Sequence, residues 1–118
     1  MSRGDVMLSI DECYELYKKT LEECGRGILL EEEEVVAYKL FEEFATDAIS
    51  FLHESLLDVL LDNGMIDNEI YEKSRELRKK YLSIEADSTL LNVKAVRTAQ
   101  KWKELLILSD EIRNSLYW

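Results

Sequence analysis

From Glu31 to Asn63 the chain reads EEEEVVAYKLFEEFATDAISFLHESLLDVLLDN, and its apolar positions recur with the period of a helix. Placed at about 100° per residue, Tyr38, Phe41, Phe44, Ala45, Ala48, Ile49, Phe51, Leu52, Leu56, Val59 and Leu60 share one broad arc. Lys39, Glu42, Glu43, Thr46, Asp47, Ser50, His53, Glu54 and Asp58 take the opposite arc. An apolar arc that wide predicts a central helix with neighbours on more than one side. The phase holds from Tyr38 to Leu60, so one long helix is expected, with Thr46-Asp47 its weakest point. Asn63-Gly64 closes it, because Gly64 can adopt the left-handed conformation of a C-terminal cap.

The flanking pattern predicts three more helices. Ser9-Ile10-Asp11-Glu12 is a capping box, with Leu8 before it as a hydrophobic staple. The helix it opens runs to about Cys24, with Ile10, Cys13, Tyr14, Leu16, Tyr17 and Leu21 inward, and ends at Gly25-Arg26-Gly27. Ile28-Leu29-Leu30 reads as a connector tucked into the core. A peripheral helix over about Asp67 to Leu82 has a single seam of Ile66, Ile70, Leu77 and Tyr81. Ser83 to Asn92 reads as a loop or single turn, with Asp87, Ser88 and Asn92 as caps. The last helix spans about Val93 to Leu116, with Ala95, Ala99, Trp102, Leu105, Leu106, Ser109, Ile112 and Leu116 inward. Short connections favour antiparallel neighbours, so the expected architecture is all-α, an up-down four-helix bundle with a long central helix. Residues 1–118 form one domain in this reading, with 1–8 a flexible lead.

Composition agrees with that picture: 47% of the 118 residues are hydrophobic, enough for one real core, and there is no proline to interrupt a helix. No apolar run approaches the roughly 18–20 residues that cross a bilayer. MSRGDVMLSI has no apolar core of the signal-peptide kind, so the expectation is a soluble cytoplasmic protein. Cys13 and Cys24, 11 residues apart on one helix, would sit about 16 Å apart, too far for a disulfide. Both are expected to be reduced, which suits a cytoplasmic protein.

Charge is uneven. The net charge is −10; residues 1–64 hold 16 acids and 5 bases, whereas residues 65–118 hold 9 acids and 10 bases. An acidic chain is a poor binder of nucleic acid or anionic lipid, both of which call for Lys and Arg. It suits a basic protein partner. Four consecutive glutamates, Glu31 to Glu34, open the central helix, where the dipole favours acids. Arg75, Arg78, Lys79 and Lys80 sit near the end of the peripheral helix, which favours cations for the same reason.

Catalytic signatures are missing. The sequence has no glycine-rich phosphate loop, no G-x-S-x-G elbow and no HExxH. His53 is the single histidine, and the residue three before it is Ser50, which rules out the Glu-x-x-His pattern of di-iron bundles. A magnesium site of the helical pyrophosphatase kind needs inward-facing acids, and by phase the acids here face out. We therefore read no catalytic residue, no metal ligand and no cofactor, and expect a protein that is not an enzyme.

The most specific surface feature is a stripe on the central helix. Glu43, Asp47, Glu54 and Asp58 fall within about 60° of one another over about 22 Å. Leu57 and Leu61 lie beside them on the same nominally polar arc. Either the Ile84–Leu91 connection folds over this leucine pair, or the pair is the apolar centre of a binding surface rimmed by four carboxylates. Lys94, Arg97 and Lys101 line one flank of the last helix and are the cations available to cover the stripe from within the chain. Tyr117-Trp118 offers a further aromatic anchor.

In size, charge and helical content along its whole length the chain resembles bacterial toxin-immunity proteins, those paired with nuclease toxins of contact-dependent inhibition or colicin type. The resemblance implies a tight one-to-one complex in which an acidic surface covers a basic nucleic-acid-binding site. Here that surface would fall on Glu43, Asp47, Glu54 and Asp58. The expected function is thus protein binding, as an immunity protein for a basic toxin. The alternative is a homo-oligomeric or adaptor module that buries Leu57 and Leu61, together with Tyr117-Trp118, against a second copy.

Overall fold

The computed structural model describes residues 9–116, and the expected lead over 1–8, its Leu8 staple and the Tyr117-Trp118 anchor lie outside the described residues. Among the described residues every regular element is helical. The capping box forms as the sequence predicts: the Ser9 amide donates to Glu12 Oε1 at 2.9 Å, and the Glu12 amide to Ser9 Oγ at 3.1 Å. It opens α1, Ile10–Glu22. Gly25 sits beyond it in a buried turn where a Cβ would stand 2.6 Å from Asp110 Oδ1, so any side chain there would have to push the Asp110 carboxylate aside. The Arg26 backbone amide and Nε fasten the same turn to Asp110 Oδ2, at 3.2 and 2.7 Å.

The connector is a 3-10 turn, Arg26–Leu30. It buries Ile28 and half-buries Leu29, but Leu30 is 91% exposed, so the expected three-residue plug is only part core. A short extended link leads on, and α2, Glu33–Tyr38, continues through a π-helical turn, Lys39–Glu43, into α3, Phe44–Phe51.

That wide turn revises the predicted inner arc. Val36, Leu40, Phe44, Ala48 and Leu52 are buried, a strict four-residue row. On an ideal α-helix such a row drifts by about 40° per step. Residues in a π-turn rotate by less, which offsets part of the drift and keeps the row on the core. Tyr38 and Ile49, expected inward, are 53% and 49% exposed for the same reason.

The single long central helix does not form. It breaks at Leu52-His53, six residues beyond the expected Thr46-Asp47, where the backbone of His53 turns extended. The exposed His53 ring caps α4, Glu54–Asp62, its Nδ1 accepting from the Ser55 amide at 3.1 Å. No glycine or proline marks the break. Gly64, with φ +73°, closes α4 as predicted.

α5, Asn68–Glu85, starts on the Asp67 side chain, buries Ile70, Ser74, Leu77, Tyr81 and Ile84, and ends three residues later than expected. Asp87 and Asn92 cap a 3-10 turn, Ser88–Leu90, and α6, Val93–Thr98. The predicted last helix is divided: Ala99 is extended, and α7, Gln100–Leu116, begins after it. α5 and α7 lie side by side, α1 packs on α7, α3 and α4, and α4 is held by α5 and α1. The core between them is centred on Trp102, Tyr17 and Phe44. Phe44 meets Tyr81 edge-on at 5.1 Å, and the Tyr17 hydroxyl shares a buried 2.6 Å hydrogen bond with Ser74. The second and fourth predicted helices are therefore each a pair. No helix among the described residues is long and apolar enough to cross a membrane.

Candidate protein-binding surface

The predicted acidic stripe is split by the break at Leu52-His53. Glu43 and Asp47 stay on the α2–α3 run, whereas Glu54 and Asp58 belong to α4. Three of the four are engaged within the chain. Asp47 Oδ2 meets Lys19 Nζ at 3.3 Å, Glu54 meets Arg75 at 3.6 Å, and Asp58 accepts from the Tyr71 hydroxyl at 2.6 Å. That hydrogen bond, with the negative charge behind it, pushes the half-exposed Tyr71 phenol up to about 12. The cations that cover the stripe are thus Lys19 and Arg75. Arg97 instead donates to the Glu31 carbonyl at 3.1 Å and Lys101 to Ser83 Oγ at 3.1 Å.

Leu57 is not on the surface. It is fully buried, and Leu61 is half-buried against the core. The break restarts the helical phase at His53, which turns Leu57 towards the core, and the elements that cover α4 are chiefly α5 and α1 rather than the Ile84–Leu91 connection. Leu57 therefore offers no surface to a partner, and Leu61 offers only part of its side chain.

What remains open is the face of the α2–α3 run. Glu31, Glu32, Glu33, Glu34 and Glu42 are exposed and Glu43 is half-exposed. Among the described residues none of these six forms an ion pair. Tyr38 and Ile49 are exposed on the same run. The π-turn lies in its middle; such turns are rare and recur at functional sites. Charge without internal partners, beside solvent-facing apolar groups, is the composition of a docking surface.

A shallow hollow of about 250 Å³ opens in this face, lined by Lys19, Tyr38, Glu42, Glu43, Thr46 and Asp47. Glu23 stands beside it. Its side chain is 6% exposed, Oε2 accepts from Lys19 Nζ at 2.8 Å, and Oε1 is buried with no hydrogen-bond partner. Burial pushes the Glu23 carboxyl up to about 7; Lys19 offsets part of that, and Asp47 adds to it. Lys19, bonded first to Glu23, holds its own proton more tightly than usual. Glu23 was missed from sequence because it sits in the helix-ending turn, where an acid reads as solvated. No periodicity marks it.

The raised Glu23 carboxyl makes stability depend on pH. Between about 4.5, its ordinary value, and about 7, the folded chain holds a proton that the unfolded chain has lost. This contribution is fully present below about 4.5 and is lost as pH rises through about 7. Glu23→Gln is expected to flatten this slope and to stabilise the protein above pH 7 by about 1–2 kcal/mol. Urea unfolding at intervals from pH 5 to 8 reads both effects.

Other clusters are less suited to binding. The hollow beside α5 mixes Arg75, Arg78 and Lys79 with Glu54, Glu72 and Glu76, so neither sign dominates. Cys24 is buried with its thiol 3.2 Å from Ser109 Oγ and pushed up to about 12 by burial, which leaves little reactive thiolate. Among the described residues no three His, Cys, Asp or Glu side chains are grouped to hold a metal. The chain matches no family model, no curated protein and no solved structure.

Proposed function

We propose that this chain is a protein-binding inhibitor, an immunity protein that neutralises a basic, nuclease-type toxin in the cytoplasm by one-to-one docking through its acidic face. In this reading α2 to α4 and α6–α7 are two bent arms of an up-down four-helix bundle. The observation that carries it is the set of six carboxylates, Glu31 to Glu34, Glu42 and Glu43, that form no ion pair among the described residues on a stretch that also exposes Tyr38 and Ile49. Such a face accelerates encounter with a basic partner by long-range steering, and its apolar groups then slow dissociation.

The test is co-expression with the adjacent reading frame of the source genome. The neighbour is expected to kill a host alone and to be tolerated with this chain present. Binding of the pair should weaken as salt rises from about 0.05 to 0.5 M, because the steering charges are screened. A harmless neighbour, or a complex indifferent to salt, removes the support for this reading.

One observation favours a homo-oligomeric module instead. Leu30 is 91% exposed at the tip of its turn, the kind of apolar knob a second copy can bury. Sedimentation separates the two: an inhibitor runs alone as a monomer, whereas the module runs as a dimer that Leu30→Ser dissolves.

A further inference from the structure

The 3-10 turn Arg26–Leu30 brings two unmatched features side by side. At its tip Leu30 is 91% exposed, and the exposed glutamates that follow it, Glu31 to Glu34, form no ion pair among the described residues. Beside it a hollow of about 300 Å³ opens at the corner where extended Ala99 divides α6 from α7. Leu29, Val96, Leu106 and Ile107 make this hollow apolar, and the charged residues that line it are Arg26, Arg97 and Lys103. No carboxylate lines it, in a chain whose net charge is −10. Arg26 is held by Asp110. Arg97 donates to the Glu31 carbonyl and, like Lys103, forms no ion pair among the described residues.

We infer that this hollow is the socket for Leu30 of a second copy of this chain, with Glu31 and Glu32 of that copy set against Arg97 and Lys103. The inference rests on the homo-oligomeric reading of Leu30 given above, and it adds where the knob seats and what orients it. The lining sets the chemistry of the occupant: an apolar side chain for the floor, with carboxylates next to it for two cations that face no acid. Residues 30–32, Leu-Glu-Glu, supply that order. Knob and socket also share one patch. Arg26 and Leu29 belong to the turn that bears Leu30, and Arg97 holds the Glu31 carbonyl at 3.1 Å. A patch that carries both halves of a contact is self-complementary about a two-fold axis, so two copies fill each other's sockets at once and the assembly closes as a dimer. With one leucine and two carboxylates seated on each side, the contact belongs at the small, weak end of specific interfaces, below roughly 1,200 Å². It covers Glu31 and Glu32, so a second copy and a basic partner exclude each other at that end of the acidic face.

The test is sedimentation equilibrium of the whole chain over about 5 to 500 µM, a range in which mass action reveals a weak dimer. The parent should pass from monomer to dimer, and Leu30→Ser should weaken the pairing about tenfold or more. Charge exchange tests the socket itself. Glu31→Lys with Glu32→Lys in one chain, and Arg97→Glu with Lys103→Glu in another, each set like charges against one another in both contacts. Each double variant alone should sediment as a monomer. Mixed one to one, the two variants set lysine against glutamate at both contacts, and the dimer should return. All four positions are exposed, so the variants should keep the parent's circular dichroism. A parent dimer that is indifferent to Leu30→Ser, or that the mixture fails to restore, overturns the socket and leaves the homo-oligomeric reading standing. A parent that stays monomeric throughout overturns both and leaves the inhibitor reading untouched.

Discussion

Leu57→Asp is expected to unfold the protein. Leu57 has no exposed surface and lies in α4 where α1 and α5 close over it. An aspartate there would either bury an unpaired charge or take up a proton, and each costs several kcal/mol on top of the lost leucine packing. Total stability for a domain of this size is about 5–15 kcal/mol, so this one change consumes much of it. Far-UV circular dichroism at 25 °C should show lost helix, or a melting midpoint lowered by roughly 15 °C or more. Leu61→Asp, four residues on at a half-buried position, should cost about 1 kcal/mol and leave the fold intact. Were Leu57 instead the centre of an interface, its aspartate variant would stay folded and lose only its partner.

Trp102→Ala should cost about 3–5 kcal/mol and lower the melting midpoint by roughly 12–20 °C. Trp102 is the largest fully buried side chain, and it ties together three parts of the molecule. Its ring meets Phe41 edge-on at 6.0 Å, and its Nε1 donates to the Leu90 carbonyl at 2.7 Å. Truncation therefore opens a cavity against the π-turn and leaves a carbonyl of the Ser88–Leu90 turn without its donor. Trp102→Phe keeps most of the packing and loses the hydrogen bond, so it should cost about half as much. Thermal melts of the two variants apportion the loss between volume and hydrogen bonding. If both are equal to the parent, Trp102 is not the keystone of this core.

Legibility from sequence tracked the range of the interactions involved. The Ser9–Glu12 box, the Asn92 cap and the Gly64 closure are set by residues within a few positions of one another, and all were readable. The inner seams of α5 and α7 were readable too, because an unbroken helix keeps its phase. The breaks at His53 and Ala99 were not. Neither site carries glycine or proline, histidine is not a usual cap, and alanine has no side chain with which to cap anything. Those breaks and the π-turn shift the phase, so an arc drawn at 100° per residue misplaces the side chains around them. An ideal helix accordingly puts Leu57 on the solvent side and Tyr38 in the core. The acidic character of the surface was legible from composition. Which acids are spent was not, because Lys19 lies 28 residues from Asp47 and Arg75 lies 21 from Glu54.

The corner at Leu52-His53 has a bearing on how the chain folds. Nothing local prevents residues 33–62 from running straight, and as one rod they would reach about 45 Å. The bend exists because Leu52 and Leu57 must both enter a core whose other walls arrive from distant sequence, α1 and α5. The segment therefore gives up helical hydrogen bonds at the corner in exchange for burying both leucines, so the direction of α4 is set by residues far from it in sequence.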